Sequence, residues 1–349
     1  MSPFLTIRQA SATYPVYVGR DLLGDIASLI HGRGSMFVIT SKPLRDRFGE
    51  KIAASLNADV IEIEEGEAHK NLATVDDVVT QLLRRGAKRD SMAVVVGGGM
   101  VGDTAGFAAS IFLRGIDLVH VPTTLLAQVD SSIGGKLAVN HPSGKNLIGS
   151  FFPPRAVIAD LSTLDSLPRR ELLSGLFEAL KGGVIADASL FELLETPPGF
   201  DVEEVVGKAI RVKAEIVSAD EREADLRRLL NYGHTIGHGI EAALEYRHLT
   251  HGEAVAWGMI GANAIAVRRG LLSRDAAARI ERAIRAWNPT PIPPDIDRAA
   301  ILAAAEHDKK NTGSQRVMVF PRGIGTCEVF ADVTEDEIAF GVASILDEV

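Results

Sequence analysis

The residues that could bind a metal fall in apolar segments of the C-terminal half. His234 and His238 are four residues apart, a spacing that places both imidazoles on one face of a helix. His251 begins a further apolar segment, and His248 lies just before it. An H-x-x-x-H pair is a recurrent metal-ligand spacing, but Thr235 stands where a zincin carries its glutamate. The pair is therefore not a zincin signature.

The segment GLFEALKGG adds an acidic and a basic residue. Glu178 and Lys181 are three residues apart, so a helix would place both on one face among apolar neighbours. By itself this spacing fits an ordinary helical ion pair equally well. Four histidines and a glutamate among apolar helices nevertheless predict one metal site. Three N/O ligands with open positions are typical of catalytic zinc, and such ligands also accept cobalt.

A glycine-rich stretch of the N-terminal half predicts an anion-binding turn. The apolar run Met92 to Val96 leads into the glycines 97–99, and an Ala-rich helical segment follows at about 102–111. Glycines let a ligand approach the backbone closely, and the N–H groups at a helix start favour an anion such as a nucleotide pyrophosphate. The G-x-G-x-x-G pattern that starts at Gly97 is a weak signal alone and is about as often structural.

Polar residues beyond the next strand strengthen the prediction of a site. The strand Asp117 to Val121 runs into Pro122, Thr123 and Thr124. Serines and glycines then surround a group of charged and amide side chains, which are Asp130, Lys136, Lys145 and Asn146. An ordinary solvated loop needs no such glycine and hydroxyl neighbours. This composition favours a polar site over a surface loop.

Several long blocks resemble the dehydroquinate synthases of the sugar-phosphate cyclase family. The resemblance runs from about Glu67 to Lys310 and is carried by GGGMVGDTAGFAASIFLRG, VPTTLLAQVDSSIGGKLAVN, GKNLIGSFFPP, SLPRRELLSGLFEALKGG, LLNYGHTIGHGIE and HGEAVAWGM. It implies conversion of 3-deoxy-D-arabino-heptulosonate 7-phosphate to 3-dehydroquinate and phosphate, in the shikimate pathway. The implied steps are transient oxidation by NAD, phosphate elimination, reduction, ring opening and intramolecular aldol closure. One divalent metal per subunit, zinc or cobalt, is implied as well.

The resemblance also assigns residues. Its metal ligands are Glu178, His234 and His251, where the His-Gly-Glu-Ala context favours His251 over His248. The implied cofactor contacts are Glu67, Lys70, Gly98, Gly99, Asp103, Thr123, Thr124, Asp130, Lys136, Lys145 and Ser166. The implied catalytic and substrate residues are Asp130, Lys136, Lys145, Asn146, Lys181, Lys213, Glu223, Arg227, Asn231, His238, Arg114, Lys309 and Lys310. In the family, the arginine that matches Arg114 comes from the neighbouring subunit, which implies a homodimer.

Two of these assignments have a simpler alternative. Without the resemblance, Glu67 and Lys70 would be interpreted as an exposed pair at a helix start. Arg227 could likewise be a solvated arginine on an amphipathic helix. Arg227, Asn231, His234 and His238 recur at helical spacing, however, which predicts one helical stripe aimed at a common point. A substrate carboxylate requires a planar, bidentate cation, so we expect Arg227 and Lys213 to bind it.

The segment pattern predicts two domains. Short apolar strands alternate with helices up to about residue 160, which indicates an α/β domain with a parallel-rich sheet. Helical periodicity dominates afterwards, so we expect an NAD-binding domain over 1–160 and a mainly helical metal- and substrate-binding domain over 161–349, with the active site in the cleft between them. More local expectations are hairpins at 5–10 with 14–19 and at 315–321 with 326–330, and a helix at 21–31.

Composition excludes several classes of partner. The 349 residues carry a net charge of −9 with 5% aromatic residues, which argues against nucleic acid. Many basic residues fall inside the polar motifs, so a local basic pocket suits a small anionic sugar-phosphate carboxylate. The single cysteine, Cys327, excludes an internal disulfide. No signal peptide or membrane-spanning run is evident, and we expect a cytoplasmic protein without a membrane partner.

Three alternative functions remain open from the sequence. Another sugar-phosphate cyclase would share the motifs but accept a substrate without a carboxylate. A metal-dependent polyol or glycerol-phosphate dehydrogenase would produce NADH in net amounts. A catalytically silent binding protein would be expected to have lost metal ligands, whereas Glu178, His234 and His251 are all present.

Overall fold

The computed structural model describes residues 1–197, 199–306 and 316–346. The chain divides into two compact units. Unit 1 consists of Met1–Leu167 and Lys213–Arg222, and unit 2 of Pro168–Val212 and Glu223–Val349. None of the described helices combines the length and the apolarity that a membrane crossing demands.

Unit 1 is built on a sheet that is parallel except at one edge. Among the described residues, seven strands lie in the order β1-β2-β9-β6-β5-β3-β4, in which only β1 and β2 pair antiparallel. Two further strands, β7 and β8, form a separate antiparallel hairpin. The strands are β1 (Leu5–Arg8), β2 (Thr13–Gly19), β3 (Met36–Ser41), β4 (Asp59–Ile63), β5 (Met92–Gly97), β6 (Asp117–Pro122), β7 (Lys136–His141), β8 (Gly144–Phe151) and β9 (Ala156–Asp160). The predicted parallel-rich sheet is confirmed.

The central strand β5 is apolar and buried along its whole length because both faces of the sheet are covered. In β5, Ala93 and Val95 pack into one hydrophobic cluster, whereas Val94 and Val96 pack into the other. This alternation follows from the two-residue period of a strand. The helices of unit 1 are α1 (Ile26–Leu29), α2 (Lys42–Leu44), α3 (Glu50–Leu56), α4 (Leu72–Arg84) and α5 (Gly99–Ile111).

The single helix expected over 21–31 is wrong. A 3₁₀ turn, Leu22–Asp25, precedes the short α1, and Asp21 before it has a left-handed backbone with φ 59°. The carboxylate of Asp160 accepts hydrogen bonds from the backbone N–H groups of Asp21 and Leu23, at 3.0 and 2.9 Å. A side chain distant in sequence thus satisfies the N–H groups of this segment and holds it in a tighter turn.

Unit 2 is mainly helical. Its helices are α6 (Arg169–Ala186), α7 (Ala188–Leu194), α8 (Val202–Ala219), α9 (His234–Ala243), α10 (His251–Arg268), α11 (Arg274–Ala286), α12 (Arg298–Glu306) and α13 (Glu335–Leu346), of which α8 also supplies residues to unit 1. The late hairpin is confirmed as β10 (Met318–Gly323) and β11 (Thr326–Phe330).

Gly233 separates the helical segment before it from α9, at a point where α9 packs closely against α10. Gly233 has a left-handed backbone, φ 79°, and a Cβ there would lie 2.7 Å from Met259 Cγ and 2.8 Å from Val255 O. The 3₁₀ segment Leu226–Asn231 therefore ends before Gly233, and α9 begins after it. The continuous helical stripe expected from Arg227 to His238 is wrong for this reason.

Replacing Gly233 by alanine should destabilise the protein far more than the same change at Gly270. Both glycines are left-handed, but a Cβ at Gly270, φ 70°, meets nothing within 4 Å. The backbone strain alone costs about 1–2 kcal/mol, and overpacking against α10 adds about 1–3 kcal/mol at Gly233. Urea unfolding of Gly233→Ala and Gly270→Ala measures the difference. Equal losses would mean that α9 can move away from α10 without cost.

Candidate active site

Three imidazoles meet where α9 and α10 begin. His234 is the first residue of α9, His238 lies one turn later, and His251 is the first residue of α10. One ring nitrogen from each of the three lies within 4.8 Å of the other two. The capping box of Thr250 and Glu253 fixes the start of α10, so it also fixes the backbone of His251. The expected helix headed by His251 is confirmed.

A buried carboxylate faces this cluster from α6. Glu178 Oε1 lies 3.9 Å from His234 Nε2 and 3.7 Å from His251 Nε2, too far for hydrogen bonds. Neither oxygen of Glu178 has a hydrogen-bond partner among the described residues, although Lys181 Nζ forms an ion pair with Oε2. Burying a carboxylate is costly unless positive charge compensates it. Two imidazole nitrogens and this carboxylate form a donor set that fits a divalent cation.

Two further contacts orient the imidazoles. His251 Nδ1 lies 3.2 Å from Glu241 Oε2, and His234 Nδ1 lies 3.2 Å from the carbonyl oxygen of Tyr232. With Nδ1 engaged by an acceptor, Nε2 is left as the lone-pair nitrogen toward Glu178, as is usual for metal-binding histidines. Glu241 is buried and was missed by the sequence argument. Its position three residues after His238, on the same helical face, was the available signal.

The same carboxylates set the protonation of His251. Burial lowers its pKa, but the charges of Glu241 and Glu178 and the hydrogen bond that His251 donates to Glu241 together outweigh burial and leave the pKa raised. A metal ligand must be neutral imidazole, so metal binding has to displace this proton. Metal affinity therefore depends on pH in the range where His251 titrates.

Arg227 and Asn231 lie in the 3₁₀ segment that precedes α9. Arg227 is 1% exposed, so the alternative of a solvated surface arginine is wrong. Asn231 Nδ2 donates to Glu223 Oε1 at 2.8 Å, and Glu223 has a left-handed backbone with φ 61°. The segment thus keeps a guanidinium and an amide in fixed positions within unit 2.

In unit 1 the glycine turn connects β5 directly to α5. The N–H of Thr123 donates to Gly97 O at 3.0 Å, which joins the carboxyl ends of β5 and β6. A Cβ at Gly98 would lie 2.9 Å from Thr124 Cγ2, so only glycine fits this approach. The first N–H groups of α5 follow at once, without a side-chain cap. This bare turn before a helix start fits the pyrophosphate of a dinucleotide.

A buried ionic contact lies beside the turn. Lys70 Nζ donates to Asp103 Oδ2 at 2.5 Å and to Asn146 Oδ1 at 2.7 Å. Burial raises the pKa of Asp103 above its usual value, although the charge of Lys70 acts in the opposite direction. The alternative that Glu67 and Lys70 form an exposed pair is wrong for Lys70, which is 6% exposed. Glu67 is exposed, and its Oε1 lies 3.9 Å from Lys145 Nζ.

The remaining residues predicted for the site that the structure describes lie outside the histidine cluster and the glycine turn. Lys213 Nζ donates to Asp130 Oδ1 at 2.5 Å within unit 1, and Lys136 begins β7. Ser166 ends a 3₁₀ segment, where its hydroxyl donates to Thr163 O at 3.3 Å. Arg114 is exposed, with φ 73°. Lys309 and Lys310 lie outside the described residues.

Two family models match the chain in succession. The model of the 3-dehydroquinate synthase N-terminal part matches residues 60–174, and that of the C-terminal part matches residues 175–311. A 3-dehydroquinate synthase from Koribacter versatilis is 40% identical over 358 residues, which span 97% of this chain and 97% of the relative.

Two solved structures are similar over nearly the whole chain. A 2-deoxy-scyllo-inosose synthase complexed with carbaglucose-6-phosphate, NAD+ and Co2+ has a TM-score of 0.88 and 30% identity, covering 97% of this chain and 98% of that one. The 2-epi-5-epi-valiolone synthase of Streptomyces hygroscopicus subsp. jinggangensis 5008, with NAD+ and Zn2+ bound, has a TM-score of 0.87 and 30% identity over the same shares. The expected two-part α/β and helical fold is confirmed.

Glu241→Gln should weaken metal binding without removing a direct donor. The change takes away the charge that orients and polarises His251, and losses of such outer contacts typically cost about 10–100-fold in affinity. Competition with a chromogenic chelator measures the affinity for Zn2+ and Co2+. Glu245→Gln is the control, since the Glu245 side chain is 77% exposed. Wild-type affinity in Glu241→Gln would contradict the orienting role.

Proposed function

The chain belongs to the 3-dehydroquinate synthase family, and we propose that it converts 3-deoxy-D-arabino-heptulosonate 7-phosphate to 3-dehydroquinate and phosphate. This reaction is a step of the shikimate pathway toward aromatic amino acids. The enzyme is an NAD- and metal-dependent cyclase that acts on a sugar phosphate. The observation that carries the proposal is the buried Glu178 carboxylate facing two imidazoles whose other nitrogens are already engaged.

Glu178, His234 and His251 are the proposed metal ligands. Glu178 supplies the negative charge that a divalent cation requires in a buried site, and the engaged Nδ1 atoms of His234 and His251 direct Nε2 toward it. When bound, the ion supplies a Lewis acid that polarises substrate oxygens. His238 remains as a third imidazole beside the ligands, and we assign it to the substrate phosphate. Lys181 holds the second carboxylate oxygen of Glu178 and thereby its orientation.

The glycine turn of unit 1 is the proposed NAD site. The N–H groups at the start of α5 bind the pyrophosphate, because their dipoles favour an anion and the N-cap residue, Gly98, has no side chain to accept from them. Thr123 and Thr124 follow the neighbouring strand β6 and present hydroxyls at the same edge. NAD supplies a hydride acceptor that is restored within each turnover. The buried pair of Lys70 and Asp103 fixes charge beside this turn.

We assign the substrate carboxylate to Arg227. Its planar guanidinium can donate two parallel hydrogen bonds, and burial keeps water from competing for them. Asn231, held by Glu223, offers an oriented amide for a neighbouring polar group of the substrate. A fixed arginine of this kind suits a substrate with a carboxylate better than a neutral sugar phosphate.

A homodimer in the cytoplasm completes the proposal. Arg114 is exposed on a left-handed turn, and the neighbouring apolar side chains of Ile111 and Leu113 are 46% and 39% exposed. An arginine flanked by exposed apolar groups suits a surface that a second copy of the chain covers. Arg114 would then reach the partner's active site.

Turnover should require NAD and release phosphate without accumulating NADH. Reduction in a later step returns the hydride that oxidation removed, so absorbance at about 340 nm should stay flat while phosphate appears. The measurement follows both signals together on the metal-loaded enzyme. Stoichiometric NADH would instead indicate a metal-dependent polyol or glycerol-phosphate dehydrogenase. The absence of both phosphate release and NADH formation would favour a silent binding protein.

Arg227→Ala should lower kcat/KM for the heptulosonate phosphate at least tens-fold. Losing one partner of a desolvated charged contact costs about 2–5 kcal/mol. Arg227→Lys keeps the charge but loses the bidentate geometry, so we expect an intermediate loss. The adjacent, partly exposed Arg228 provides the control Arg228→Ala. Indifference to Arg227→Ala, or equal use of sedoheptulose 7-phosphate or glucose 6-phosphate, would move the chain to another branch of the cyclases.

A further inference from the structure

Asn140 joins two segments that carry predicted cofactor and substrate residues. Its backbone N–H donates to Lys70 O at 2.8 Å, and its Nδ2 donates to Glu67 Oε1 at 2.8 Å. Its Oδ1 accepts the backbone N–H of Asn146 at 3.0 Å. One residue near the end of β7 therefore holds both the segment before α4 and the start of β8. The sequence argument did not single out Asn140.

The bond to Asn146 holds a strained residue in place. Asn146 has a left-handed backbone with φ 54°, a conformation that a side-chain acceptor on its N–H helps to stabilise. In that conformation its Oδ1 accepts from Lys70 Nζ, which also donates to Asp103 in the first turns of α5. A continuous chain of hydrogen bonds thus runs from Asn140 to the helix that follows the glycine turn.

The bond to Glu67 fixes an otherwise exposed carboxylate. Glu67 is exposed, and its other described contact is Lys145 Nζ at the longer distance of 3.9 Å. Direct donation from Asn140 Nδ2 limits the rotamers that this side chain can adopt. The neutral amide donates to Glu67 through its nitrogen and accepts from the N–H of Asn146 through its oxygen, whereas a carboxylate can only accept. Aspartate at this position would retain the acceptor but place a second negative charge against Glu67.

We propose that Asn140 is a positioning residue of the NAD site: it orients Glu67, Lys70 and Asn146 relative to one another so that the site is formed before the cofactor binds. The inference rests on the proposed role of these three residues toward NAD and substrate. A residue that only stabilised the β7–β8 hairpin would affect the melting temperature, whereas a positioning residue also changes the dissociation constant of NAD for the folded protein.

The test is a double-mutant cycle of Asn140 and Glu67, read by NAD titration calorimetry on the full-length protein. Asn140→Asp should raise the Kd of NAD at least about tenfold, because two carboxylates then face each other. In a Glu67→Gln background the same change should raise it less than about threefold, since the glutamine amide can donate to the new carboxylate. Circular dichroism verifies that each variant is folded at the titration temperature.

Asn57→Asp is the matched control, because it makes the same substitution, and adds the same charge, at an exposed asparagine elsewhere in unit 1. We expect it to leave the Kd of NAD unchanged. An unchanged Kd in folded Asn140→Asp, or an equal rise in both backgrounds, would overturn the inference.

The wild-type protein separates this inference from the proposed function. NAD binding without phosphate release from the heptulosonate phosphate would refute the function and leave the Asn140 cycle to be judged by binding alone. If the wild type releases phosphate but Asn140→Asp leaves the Kd of NAD unchanged, the inference is refuted and the proposed function stands. No NAD binding by the wild type would overturn both.

Discussion

The buried negative charge of Glu178 is the constraint on which unit 2 depends. A carboxylate inside a helical core costs several kcal/mol unless cations or donors surround it, and Lys181 compensates only one of its two oxygens. The other oxygen faces His234 and His251, which close packing of α9 and α10 brings to the same place. Close packing is possible because glycines stand where these helices meet: a Cβ at Gly258 would lie 2.0 Å from Gly233 O. The cluster of Glu178, His234 and His251 therefore lies between packed helices of unit 2.

The role proposed for unit 1 is the binding of NAD, a large anion, by a protein that is acidic as a whole. The net charge of −9 does not attract an anion, so positive potential has to come from groups close to the site. The proposed source is the carboxyl ends of the parallel strands β5 and β6, where the glycine turn leads into α5 without a side-chain cap. The buried Lys70 beside this turn carries positive charge that two acceptors hold in one place.

In both units, neighbouring side chains contact the residues proposed for the site and limit their orientation. Glu241 contacts one nitrogen of His251, and Asn140 bonds to the Glu67 carboxylate and to the backbone N–H of Asn146; the orienting roles proposed for both residues rest on these contacts. In each case a hydrogen-bond partner limits the orientations of a side chain before a ligand binds. Such preorganisation lowers the ordering cost that binding would otherwise carry.

The sequence by itself determined the chemistry of the donors and the local elements that carry them. The spacing of His234 and His238, the glycines after β5 and the alternation of strands and helices are local patterns, and local periodicity is sufficient to interpret them. Only the tertiary structure decided that Gly233 interrupts the stripe from Arg227, that Lys70 is buried and that residues 213–222 belong with unit 1. It alone revealed the contacts on which the orienting roles proposed for Glu241 and Asn140 rest. These features depend on burial and on hydrogen bonds between elements, which arise from residues far apart in the chain and leave no periodic trace in it.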